Sequence, residues 1–148
     1  MPEPSLRARA LNYLARRDYT RSELQRKLAP HAELHSELKS LLDDLQMRGL
    51  LSEQRFVEQI VHARQGKYGS LRIAQELRAK GIAEELINST VAQVKGSELA
   101  SVRAVWTKKF GSLPTDAKQR AKQMRFLQSR GFSMEVIRQV LQGLDDED

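Results

Sequence analysis

Gly49 to Ile82, GLLSEQRFVEQIVHARQGKYGSLRIAQELRAKGI, is the stretch from which the rest of the chain can be read. Gly49 closes an apolar-periodic run, and Ser52 restarts a helix with Phe56, Val57, Ile60 and Val61 on one face. Gly66 and Gly69 break that helix. In the next one Ile73, Ala74 and Leu77 form the inner stripe, with Arg72 and Glu76 opposite it. Lys80-Gly81 supplies a cationic last turn and a C-cap glycine. The pattern is helix, basic glycine-broken turn, helix. Between Ile60 and Ile82 five basic residues (Arg64, Lys67, Arg72, Arg78, Lys80) face one acid, Glu76, a balance suited to a polyanion or an acidic protein face.

Working outward, the same helical grammar fills the chain. Pro4-Ser5 opens a helix in which Leu6, Ala10, Leu11 and Leu14 recur at helical spacing, and Thr20 with Glu23 fits a capping box for a short second helix carrying Leu24 and Leu28. Leu34, Leu38, Leu41, Leu42 and Leu45 make a third. Beyond Gly81, Leu86, Ile87, Val91 and Val94 line a helix expected to stop near Lys95-Gly96, with Ser97 capping the next, which carries Val102, Val105, Trp106 and Phe110. Thr115 is the expected cap of a helix burying Ala121, Met124 and Leu127, and Ser133 opens a last one with Val136, Ile137, Val140 and Leu141. No alternating runs of β-branched residues occur, so the expected fold is all-α with about nine short helices.

A repeat runs through this pattern. At a separation of 50, Phe56, Ile60, Leu77 and Gly81 match Trp106, Phe110, Leu127 and Gly131, and LRAKGIAEELI becomes LQSRGFSMEVI. At 49, Leu11, Leu24 and Leu28 match Ile60, Ile73 and Leu77. Three tandem three-helix repeats are expected, at 1–49, 50–95 and 96–144, followed by an acidic tail at 145–148. Each is too small to bury its apolar faces alone, so the array should be elongated and held by neighbour packing.

Composition narrows the function. Apolar residues are 40% and charged ones 30% of 148 residues, which fits a folded protein. Net charge is +6, and without Asp145–Asp148 the chain has 25 basic against 15 acidic residues. Such an acidic end would compete with phosphate for the basic surface. Aromatics are 5%, too few for a base-stacking platform, so nucleic-acid contact should be electrostatic. The absence of cysteine, of a signal-peptide core in MPEPSLRARA and of any long apolar run leads to a cytoplasmic expectation with no membrane partner.

Enzyme signatures are missing: there is no Walker loop, no G-x-G-x-x-G and no G-x-S-x-G. His31 and His35 have i,i+4 spacing, but HAELH lacks the Glu that follows the first His in zincins, and solvent-facing histidines are the simpler reading. His62 borders an apolar stripe. Asp43-Asp44 are consecutive on a helix, about 100° apart, and read as a solvated face rather than a catalytic pair. No catalytic residue, metal or cofactor is expected. The signal that remains is basic. Ala100 to Arg130 holds eight basic residues and one acid, and Lys118, Lys122 and Arg125 form one helical ridge. The candidate binding residues are therefore Arg64, Lys67, Arg72, Lys80, Lys118, Lys122 and Arg125.

The central stretch resembles the RecX regulatory proteins. The likeness falls on Gly49, Leu50, Leu51, Phe56, Arg64, Gly69, Arg72, Ile73, Glu76, Leu77, Lys80, Gly81 and Ile82, and Leu11, Leu14, Arg17, Glu23, Leu24 and Leu28 are similar to that family's first repeat. Ser52-Glu53 stands where the family often has Asp-Asp, and Val57 where it often has Ala. The resemblance implies tandem three-helix repeats and a non-enzymatic modulator of a kind that lies along the RecA–DNA filament and usually restrains its extension, ATP hydrolysis and strand exchange; the repeat array itself is expected to be a monomer. Auxiliary contact with single- and double-stranded DNA, non-specific and salt-dependent, is expected from the basic surface. The other reading of the residues is a stand-alone helical DNA-binding module.

Overall fold

The fold is described from a computed structural model covering residues 2–142; Asp145–Asp148 lie outside the described residues. Three helices open the chain: α1 (Leu6–Arg16), α2 (Arg21–Leu28) and α3 (His35–Met47), with a single 3-10 turn over Ala29–His31. Ser5 accepts the Ala8 N–H at the start of α1, and Thr20 and Glu23 complete the expected capping box on α2. Then follow α4 (Glu53–Arg64), capped by Ser52, α5 (Ser70–Ala79), α6 (Glu84–Lys109), α7 (Ala117–Ser129) and α8 (Met134–Leu141). No strand occurs among the described residues.

The apolar side chains gather into three successive clusters rather than one core. Ala10, Tyr19, Leu24, Leu28, Leu38, Leu42, Leu45 and Leu51 form the first. Phe56, Val57, Ile73, Leu77, Ile82, Ile87 and Val94 form the second. Val102, Leu127, Phe132, Ile137, Val140 and Leu141 form the third. The accessible surface, 9383 Å², exceeds the roughly 7,700 Å² of a compact monomer of this size, as expected of an elongated array.

Three expectations need correction. The break near Lys95-Gly96 does not exist: α6 runs 26 residues without interruption, so eight α-helices are present among the described residues. A mid-helix glycine costs about 1 kcal/mol relative to alanine. That is outweighed by what the continuous helix does, since Ile87 and Val94 serve the second cluster and Val102 the third. Ser97 is accordingly no cap; its hydroxyl donates to the Val94 carbonyl. Asp116, not Thr115, caps α7, accepting the Gln119 N–H at 2.8 Å. Leu34 is the N-cap position of α3 and is 62% exposed, so it leaves the inner stripe.

The two junctions between clusters repeat one contact. Gly81, at φ +82°, lies in the α5–α6 turn against Ser22 in the first turn of α2. Gly131, at φ +86°, lies in the α7–α8 turn against Arg72 in the first turn of α5. A Cβ on either would collide with the neighbour, beyond the strain of a positive φ. Around the first junction the bonds all involve side chains and are exposed or half-buried: Lys80 to Glu23 at 2.9 Å, Arg55 and Gln59 to Asp18 at 3.0 and 2.8 Å, and the Arg21 N–H to Glu53 at 3.1 Å. The second is tighter. The Gly69 and Leu71 N–H groups donate to the Arg130 and Gly131 carbonyls at 2.9 and 3.0 Å, backbone to backbone.

A buried carboxylate completes it. Glu98, midway along α6 and 2% exposed, accepts from the Ser70 N–H and hydroxyl and from the Ser133 N–H at 3.0–3.2 Å. One anion thus satisfies orphan donors at the starts of both α5 and α8, where the helix dipoles favour negative charge.

Candidate functional site

The turn between α4 and α5 comes first, because two glycines let it approach the third cluster. Gly66 has φ +86°, and Gly69 lies too close to Gly131 and Phe132 for any side chain. This brings Lys67 and Tyr68 beside the end of α7. The Arg72 guanidinium lies over the Tyr68 ring at 4.5 Å and donates to the Ser129 carbonyl. Arg130 lies over both Tyr68 and Phe126, at 5.4 and 5.0 Å, and donates to the Lys67 carbonyl. Lys109 adds a third cation, 5.2 Å from the Phe126 ring, whose edge-on partner is Phe110. Cations and rings alternate across the second junction, each pair worth about 0.5–1 kcal/mol at such exposure. Beneath them is an open groove of about 490 Å³ with Ala104, Val105 and Phe126 as its apolar floor and Lys67, Lys108, Lys109 and Arg130 around it.

The candidate residues divide. Lys67 and Arg72 belong to this turn, and Lys118, Lys122 and Arg125 lie exposed along α7 with no carboxylate at ion-pair distance among the described residues. Arg64 is engaged: its guanidinium makes a two-pronged pair with Glu76 at 2.9 and 3.0 Å, and the carboxylate raises its pKa. Lys80 is engaged too, holding Glu23 of the first cluster. Lys108, Lys109, Arg130 and Tyr68 were not singled out from the sequence, although Arg130-Gly131 repeats Lys80-Gly81 fifty residues on and could have drawn notice to Arg130.

Other constellations resolve into structure. His31 ends the 3-10 turn and His35 begins α3, both exposed, so they do not share a helical face. Asp43 pairs with Lys39 and Arg21, and Asp44 with Arg7 and Arg48, tying α3 to α2 and α1; those hydrogen bonds lower both carboxyl pKa values. Trp106 donates to Gln123 at 2.8 Å, and Gln123 donates to the Ser112 carbonyl. Among the described residues no cluster of three or more His, Asp or Glu could hold a metal, and no helix is long and apolar enough to cross a membrane.

Charge pairing is uneven along the molecule. Ten cations from Arg7 to Lys80 have carboxylate partners. From Lys95 to Arg138 there are ten more, and none has a partner among the described residues. Of the three acids there, Glu98 is buried among N–H donors, Asp116 caps α7 and Glu135 lies exposed in the first turn of α8. Among the described residues this part of the chain therefore carries ten cations against three acids, and the second junction lies at its edge.

Comparison with known proteins accords with this architecture. Family models described as the first, second and third three-helix domains of RecX match residues 7–31, 52–91 and 97–141. The regulatory protein RecX of Leptothrix cholodnii is 48% identical over 146 residues, spanning 99% of this chain and 93% of that protein. The chain belongs to the RecX family. Regulatory protein RecX of Ralstonia nicotianae is 47% identical over 95% of this chain and 89% of its own length, and that of Neisseria meningitidis serogroup B is 38% identical over 99% and 95%. The crystal structure of RecX from Lactobacillus salivarius has the same fold, with a TM-score of 0.77 at 20% identity over 95% of this chain and 94% of that one. The third RecX domain begins at Ser97 in this chain, inside α6, so the family's second and third domains share one helix here.

Proposed function

We propose that this RecX-family protein binds the RecA–DNA filament and restrains it, without catalysing a reaction, and that its third cluster faces the polyanion. The observation that carries this reading is the set of ten cations from Lys95 to Arg138 with no carboxylate partner among the described residues. Cations already paired gain little from meeting phosphate, whereas unpaired ones release the counterions of DNA at no loss of an internal ion pair. Lys118, Lys122 and Arg125 sit on one stripe of α7 and supply regularly spaced, sequence-independent contacts. Arg64 and Lys80 act at one remove, Arg64 by holding the α4–α5 turn and Lys80 by tying the first cluster to the second.

The test is the DNA-dependent ATPase of RecA with increasing amounts of this protein. Inhibition should develop at ratios far below saturation of the DNA. Inhibition only near saturation would instead favour a stand-alone DNA-binding module. Lys118→Glu with Lys122→Glu should weaken both inhibition and DNA binding and flatten the salt dependence, which is about 0.9 log units per phosphate contact on duplex DNA. Exposed charges contribute little to stability, so the variant should stay folded. His31→Ala with His35→Ala should inhibit as the wild type does. A folded charge-reversed variant with full inhibition would show the ridge to be merely a solvated face.

A further inference from the structure

The groove at the second junction differs in kind from the α7 ridge. On a helical wheel Phe126 and Arg130 lie roughly 90° round α7 from Lys118, Lys122 and Arg125, so the two surfaces are adjacent but distinct. The ridge offers charge alone. The groove combines four cations with an apolar floor of Ala104, Val105 and Phe126. Its one ring, Phe126, is not open to nucleobases, because it already carries Lys109 and Arg130 at 5.2 and 5.0 Å. Nor does a phosphodiester backbone have any use for an apolar floor. Arg130 is held in place by two rings and the Lys67 carbonyl, so at least one of the cations is pre-oriented.

From these features we infer that the groove is a docking site for an acidic protein segment carrying an aliphatic side chain, the acids meeting Lys67, Lys108, Lys109 and Arg130 and the aliphatic group covering Ala104 and Val105. Charge complementarity sets the sign of the partner, and the floor separates a protein from a nucleic acid. The inference draws on the same unpaired charge as the proposed function but requires no RecA, so either can fail alone.

The experiment measures fluorescence anisotropy of the full chain with three labelled probes: a polyglutamate peptide with a central leucine, the same peptide with serine in that place, and a single-stranded oligonucleotide. The leucine peptide should bind about tenfold tighter than the serine peptide, the difference expected for burying one aliphatic side chain. Lys108→Glu with Lys109→Glu should weaken the leucine peptide by about tenfold or more and the oligonucleotide less, while Lys118→Glu with Lys122→Glu should reverse that order. Helical circular dichroism confirms that each variant is folded. Equal binding of the two peptides, or equal losses for peptide and oligonucleotide in the groove variant, overturns the inference and makes the groove part of the DNA path.

Discussion

Replacing Glu98 by alanine removes one carboxylate and strands three donors: the Ser70 N–H, the Ser70 hydroxyl and the Ser133 N–H. Each buried donor left unmet costs about 1–3 kcal/mol, and charge-assisted bonds lie at the upper end of that range. The gain from no longer burying a charge offsets part of this, and water entering the cavity offsets more, leaving a net loss of about 3–5 kcal/mol. For a chain of this length that corresponds to a fall of about 8–15 °C in Tm. Because Glu98 joins the starts of α5 and α8, the loss should fall on the second and third clusters together. The assay is thermal and urea unfolding followed both by circular dichroism and by the fluorescence of Trp106, the only tryptophan, which packs against the third cluster. Glu98→Gln keeps an acceptor without the charge and should lose about half as much. A loss under about 1 kcal/mol for Glu98→Ala would refute the idea that this carboxylate holds the two units together.

Other perturbations probe the remaining features. Gly96→Ala should stabilise the protein by about 0.5–1 kcal/mol, because nothing lies within 4 Å of an added Cβ and the residue is helical; destabilisation in urea would mean that α6 does break there. Gly131→Ala should destabilise by several kcal/mol, since its Cβ meets the Arg72 backbone at a positive φ, and an unchanged urea midpoint would contradict the close approach. Burial alone would raise the Glu23 pKa, but Lys80, the Thr20 N–H and Arg17 together bring it below 4.5. Its contribution is therefore present above the unfolded value and lost as pH falls through the lower folded value. The stability gap between wild type and Glu23→Gln should be constant well above pH 4.5 and narrow below it, and a gap independent of pH would refute the linkage.

How far the sequence could be read depended on whether a feature was local. The helices were legible where caps and apolar spacing agree, as at Ser5, Thr20 with Glu23, and Ser52. The α7 ridge was legible because its members are separated by helical intervals on one element. Gly96 misled because a glycine beside a lysine and a serine looks like punctuation, and its weak local preference is overridden by Glu98, whose partners lie 28 and 35 residues away. The states of Arg64 and Lys80 were hidden for the same reason, their carboxylates being 12 and 57 residues distant. The groove was least legible of all, assembled from the turn at Gly66 and Lys67, the last turns of α6 and the end of α7. Only the recurrence of a basic residue before glycine, at Lys80-Gly81 and Arg130-Gly131, foreshadowed it.

The shared helix α6 also sets a phase. A residue added to the segment between α6 and α7, from Phe110 to Asp116, merely lengthens a connection. Added between Val94 and Glu98, it would swing everything downstream by roughly 100° and advance it by about 1.5 Å. Glu98 would then turn away from Ser70, Gly131 would leave Arg72, and the α7 ridge would point about a quarter-turn off its former direction. Length is thus part of the information carried by α6, and this part of the chain should tolerate substitution far better than insertion or deletion.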